Sequence, residues 1–95
     1  MVKNEEFYSR AQEARDYYKE KGLYSYSNIV KIIVGEVFEN GDEFPDELTF
    51  AGHHYSENMV KDVLKILELS YESLTKWGDY FIIRWLKLKW TIKLL

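Results

Sequence analysis

The chain contains no cysteine. That excludes a disulfide framework and a thiolate zinc site, and it suits a reducing compartment. It also lacks any run of 18 apolar residues, so no membrane-spanning segment is expected. Met1 to Glu6 is charged and has no apolar stretch behind it, which is not the pattern of a secretory signal. A cytoplasmic, intracellular protein with no membrane partner is the expectation. Internal repeats, low-complexity tracts and linkers are absent too. Proline occurs once, at Pro45, and glycine five times, so each of these marks a specific turn.

What is present is dense apolar content. The 95 residues are 46% hydrophobic and 17% aromatic, too rich for a disordered chain. One small domain over residues 1–95 is expected, and a chain of this size buries only about 60–65% of its unfolded surface. The net charge is −3, but its sign varies along the chain. Residues 36–50 hold six acids and no base, whereas residues 80–95 hold four bases and no acid. A nucleic-acid binder usually presents a basic face. Here such a face would have to come from the C-terminal end and scattered lysines.

Taken in order, residues 4–22 read as a helix. Asn4 is a candidate N-cap, Glu5 and Glu6 suit the first turn, and Gly22 suits the stop. Phe7, Ala11, Ala14 and Tyr18 form one narrow stripe, suited to close packing on the core or on a second copy. Residues 23–28 read as a polar link in which Ser27 caps the next element. Residues 29–38 are rich in β-branched side chains, which keeps a buried strand in competition. The 3.6-residue spacing of Ile29, Ile32, Ile33 and Val37 favours helix.

Asn40-Gly41-Asp42 is a turn. Pro45 followed by Asp46-Glu47 predicts a short helix over residues 46–52, with His53-His54-Tyr55 as the next turn. Ser56 then caps a helix over residues 56–68 whose buried side is Met59, Val60, Val63, Leu64 and Leu67. After it the period shortens to two. Residues 71–75 and 80–85 read as hairpin strands about a turn at 76–79. The alternation slips near Arg84, which predicts a bulge or bend there. Leu86, Leu88, Trp90, Ile92 and Leu94 then share one face of a strand-like segment, with lysines on the other.

The predicted fold class is therefore α+β, mainly α: a winged helix-turn-helix over residues 24–82, with an extra N-terminal helix (4–22) and a C-terminal strand extension (83–95). The residues also resemble the DNA-binding domain of the GntR family of transcription regulators. Gly35-Glu36 matches the family's Gly-Glu helix end. Gly41-Asp42-Glu43-Phe44-Pro45-Asp46-Glu47 matches its Gly-Asp-x-Leu-Pro-Ser-Glu, with Phe50-Ala51 as the following apolar-Ala pair. Ser56-Glu57-Asn58-Met59-Val60-Lys61 matches Ser-Arg-x-Thr-Val-Arg, Leu64 and Leu67 match a Leu-x-x-Leu, and Gly78 to Ile82 matches the end of the wing. The likeness covers residues 24–82. Glu57 stands where the family has Arg, Met59 where it has Thr and Asp79 where it has Gly.

The resemblance implies a small transcriptional regulator that binds double-stranded DNA as a homodimer. Its DNA-contacting residues would be Ser56, Asn58, Lys61 and Lys65 on the recognition helix and Lys76 at the wing. The segment after Ile82 is too short for the family's effector domain, so no small-molecule effector is expected. Leu86, Leu88, Trp90 and Ile92 are the candidate dimer or packing residues, with the first helix as a rival dimer surface. The alternative is a winged helix serving as a protein-binding module or inhibitor, with the acidic residues 36–47 mimicking nucleic acid, as in proteins of viruses or mobile elements.

No nucleophile with a paired base, no phosphate-cradling glycine loop and no spaced metal-ligand set is found. The His53-His54 pair reads as an exposed turn. No catalytic role, cofactor or metal is expected.

Overall fold

A computed structural model of the protein describes residues 4–86. It is a small α+β arrangement of three helices and one three-stranded antiparallel sheet. The helices are α1 (Glu5–Glu20), α2 (Tyr24–Glu39) and α3 (Glu57–Ile66); the strands are β1 (Glu47–Ala51), β2 (Tyr71–Trp77) and β3 (Tyr80–Trp85). The sheet order is β1-β3-β2, so β3 is central.

Each helix stops in the same way. At α1 the amide of Leu23 donates to the Tyr18 carbonyl (2.8 Å) and that of Gly22 to Lys19 (3.0 Å). At α2, Asp42 donates to Val37 and Gly41 to Phe38; at α3, Leu69 donates to Leu64 and Glu68 to Lys65. This paired pattern closes a helix around one residue in the left-handed region. Gly22 and Gly41 fill that position with φ of 75° and 73°. Glu68 fills it in α3 with φ 58°, where an L side chain is strained.

The stripe Phe7, Ala11, Ala14 and Tyr18 is buried within this chain, with α1 packed against α2. It is therefore not a free surface for a second copy. Asn4 occupies the cap position of α1 without capping it; its amide donates instead to the Asp42 carbonyl (2.7 Å). The turn after Gly22 feeds directly into α2, so residues 24–28 are helical rather than a link. Ser27 is buried inside that helix instead of capping it, beside Tyr26, which stacks on Tyr18 at 5.1 Å.

The largest departure from expectation is β1. Residues 47–51 form a strand, not a short helix. Leu48 and Phe50 alternate inward while Glu47, Thr49 and Ala51 point outward, and β3 supplies the backbone partners. A seven-residue helix is marginal in isolation, whereas this pattern of β-formers gains a full ladder. No second helix therefore stands between α2 and α3 among the described residues.

The hairpin β2–β3 turns on Gly78 and Asp79, with Gly78 at φ 61° as a two-residue hairpin requires. The ladder shifts between Tyr71 and Ser73, opposite Arg84 and Trp85. The irregularity thus falls beside Arg84, but the extra residue is Glu72 on β2. The segment beyond Leu86, with Leu88, Trp90 and Ile92, lies outside the described residues.

The inner face of the sheet presents Leu48, Phe50, Phe81 and Ile83 to Ile29, Ile33, Val60, Val63 and Leu64 of the helices. Gly52 follows β1 and is buried. A Cβ there would run into two ring carbons of Phe81, which is itself fully buried.

Two stability changes follow. Gly52→Ala overpacks this contact and is expected to cost about 1–3 kcal/mol, seen as a lower midpoint in denaturant at unchanged m-value. Glu68→Gly relieves the left-handed strain and is expected to raise stability by about 1 kcal/mol in the same assay. A loss of stability there would show that Glu68 makes contacts worth more than its strain.

Candidate functional site

The expected DNA-contacting residues lie on α3 and the hairpin. The side chain of Ser56 accepts the Met59 amide (3.2 Å), so it caps α3 as expected and its hydroxyl is engaged. Met59, Val60, Val63, Leu64 and Leu67 turn inward. Asn58, Lys61 and Lys65 are exposed on the other side, together with Glu57 and Asp62. Lys61 lies 3.9 Å from the Glu57 carboxylate, a pairing one helical turn apart. Lys76 sits on the helix side of the sheet, its Nζ 5.3 Å above the Phe81 ring. The structure thus leaves Asn58, Lys61, Lys65 and Lys76 exposed, but it intersperses acids among them.

The loop before α3 is tied to the hairpin tip. The Gly52 amide donates to the Asp79 carbonyl (2.7 Å), and His53 Nδ1 lies 3.2 Å from the Asp79 carboxylate. His54 meets His53 edge to face. Among the described residues no group of three or more potential ligands is placed to hold a metal ion. None of the helices there is long and apolar enough to cross a membrane.

At the opposite end, the turn after α2 is held by α1. The Tyr8 hydroxyl donates to the Asp42 carboxylate (2.6 Å), and Phe44 bridges Phe7 (4.9 Å) and Trp85 (5.2 Å). Leu86, the one described member of the C-terminal stripe, is exposed and lines an apolar cleft of about 190 Å³ with Phe44, Leu69, Ser70 and Trp85. Arg10 of α1 donates to the Leu67 carbonyl (2.8 Å), placing a cation on the C-terminal end of α3. Sequence reasoning missed Arg10, because its partner lies 57 residues away.

A second surface emerges only from the topology. The outer side of the sheet carries three cross-strand rows: Ala51-Tyr80-Trp77, Thr49-Ile82-Thr75 and Glu47-Arg84-Ser73. No described helix covers it. Trp77 is 72% exposed and Tyr80 49%. Its charges are Glu47 and Arg84, 3.5 Å apart. The period-two run Glu47 to Ala51 was the signal for it.

Charge divides sharply. Residues 4–86 hold nine Lys and Arg against sixteen Asp and Glu, a formal −7. Residues 87–95 hold three lysines and no acid.

No family model matches the chain, and neither a curated protein nor a solved structure matches it.

Burial, then the Asp42 hydrogen bond and the charge of that carboxylate, push the Tyr8 hydroxyl up to about 12. The folded state therefore holds this proton more tightly than the unfolded chain, where tyrosine titrates near 10. Its contribution is complete below pH about 10 and is lost as pH rises toward 12. Tyr8→Phe is expected to lower stability by about 1 kcal/mol at neutral pH and to flatten the alkaline fall between pH 10 and 12, measured by denaturant midpoints across pH. An unchanged alkaline slope would assign that fall to other groups.

Proposed function

We propose that the chain is a protein-interaction module on a winged-helix-like frame. In that frame α2, β1, α3 and the β2–β3 hairpin form the core, with the hairpin as the wing. The observation that carries the proposal is the pairing of an open, aromatic-bearing sheet face with a chain of formal net charge −3, whose residues 36–50 hold six acids and no base. Exposed Trp and Tyr on a patch whose charges are one acid–base pair are typical of protein interfaces. Phosphate binding draws on a net basic face, because counterion release scales with the number of cations that meet the backbone. The outward side of α3 offers Lys61 and Lys65 against Glu57 and Asp62, with Glu68 just past its end.

A second reading is a small double-stranded-DNA-binding regulator of the GntR-like type. It is favoured by one observation: Asn58, Lys61, Lys65 and Lys76 are all exposed, with α3 and Lys76 on one side of the sheet. Titrating random duplex DNA separates the two. The module reading expects no binding at ~50 mM salt, where phosphate contacts are strong. Affinity that falls steeply as salt rises, and that Lys61→Glu with Lys65→Glu abolishes in a folded protein, would instead establish the regulator.

A further inference from the structure

The outer sheet face carries exposed Trp77 and Tyr80 beside small and hydroxyl side chains and one acid–base pair, and its occupant can be argued from that chemistry. We infer that it binds the same face of a second copy of this chain; the inference rests on the module reading above.

An antiparallel sheet with one solvated side normally alternates apolar-in with polar-out. Here the outward positions nearest the hairpin tip are Trp77 and Tyr80, directly opposed across the strands, and half-buried Ile82 stands next to Tyr80 on the same side. An aromatic cross-strand pair also stabilises a hairpin, so the pair alone does not require a partner. The charges decide the partner. An isologous interface must be self-complementary, because the same patch meets itself. Glu47 and Arg84 supply one charge of each sign at the far end of the face. The surface between them and Trp77 is neutral. A basic partner chosen by the acidic balance of the chain would bury its cations against Thr49, Ile82 and Trp77, at a desolvation cost without a counter-charge. A second copy brings a patch that is neutral overall, with an acid and a base to exchange.

The face is small. Three strands about 4.8 Å apart and five residues long at about 3.3 Å each give a footprint well below the roughly 800 Å² per partner of a standard interface. A weak association is therefore expected, visible at high protein concentration.

Sedimentation velocity of the full chain over a concentration series tests this. The wild type is expected to shift from monomer toward dimer at the upper end. Trp77→Ser with Tyr80→Ser is expected to weaken association at least tenfold. Arg84→Glu is expected to weaken it too, and Glu47→Arg combined with Arg84→Glu to restore it. The restoring pair also keeps the test decisive if the aromatic variant unfolds, since both positions are exposed. A purely structural role for Trp77 and Tyr80 predicts a lower melting temperature with no change in self-association. A wild type that stays monomeric throughout, or a dimer indifferent to both sets of variants, overturns the second-copy inference. The module reading is decided separately, by the duplex-DNA titration.

Discussion

The contact on which the rest depends is Gly52 against the ring of Phe81. The ring lies at the end of the central strand, fully buried, and stacks on Phe50 of β1 at 5.5 Å. Only a residue without a Cβ leaves room for it. Because the chain passes so closely there, the Gly52 amide reaches the Asp79 carbonyl and continues the sheet into the loop. That loop then delivers Ser56 to the start of α3. One steric requirement thus joins β1 to β3, ties the α3 loop to the hairpin tip and determines where the helix begins. Lys76 adds a cation over the same ring, its Nζ 5.3 Å from the centroid.

Much of this was legible from residue spacing. Ser56, the inward side of α3, the stop at Gly22 and a hairpin turn within residues 76–79 all follow local rules, because their partners lie within a few residues, although Lys76 and Trp77 prove to belong to β2 and only Gly78-Asp79 to the turn. The failures share the opposite property. Pro45-Asp46-Glu47 carries the start signal of a helix, yet β1 forms because β3, more than thirty residues on, offers a ladder. Residues 24–28 look polar, yet they are helical, with Tyr26 stacked on Tyr18 of the preceding helix and Ser27 buried. Asn4 looks like a cap, yet the Asp42 carbonyl claims its side chain. In each case a distant group outbid a local preference, which single-sequence spacing does not register.

The candidate site divides along the same line. The exposed residues of α3 were identifiable from helical periodicity alone. The outer sheet face was not, because it exists only once β1 stands beside β3 and β2. Reading residues 46–52 as a helix removed a third of that face and hid the alignment of Thr49, Ile82 and Thr75. Placing residues 47–51 in the sheet therefore adds a second candidate surface, the outer sheet face, to the exposed side of α3.

Electrostatics sets the two surfaces apart. Of the two cations on α3, Lys61 has the Glu57 carboxylate one turn back at 3.9 Å, and Arg10 of α1 donates to the Leu67 carbonyl at the helix end. An exposed pair such as Glu57 and Lys61 contributes little to stability. Its consequence lies elsewhere, since a lysine already facing a carboxylate releases fewer counterions on meeting a phosphate. The outer face reaches neutrality differently. It holds Thr, Ile and aromatic groups with a single opposed pair at one end, so approach of a like surface desolvates little charge. On the proposed reading, weak attraction for polyanions and a face able to meet its own kind at low electrostatic cost would be two results of one charge distribution.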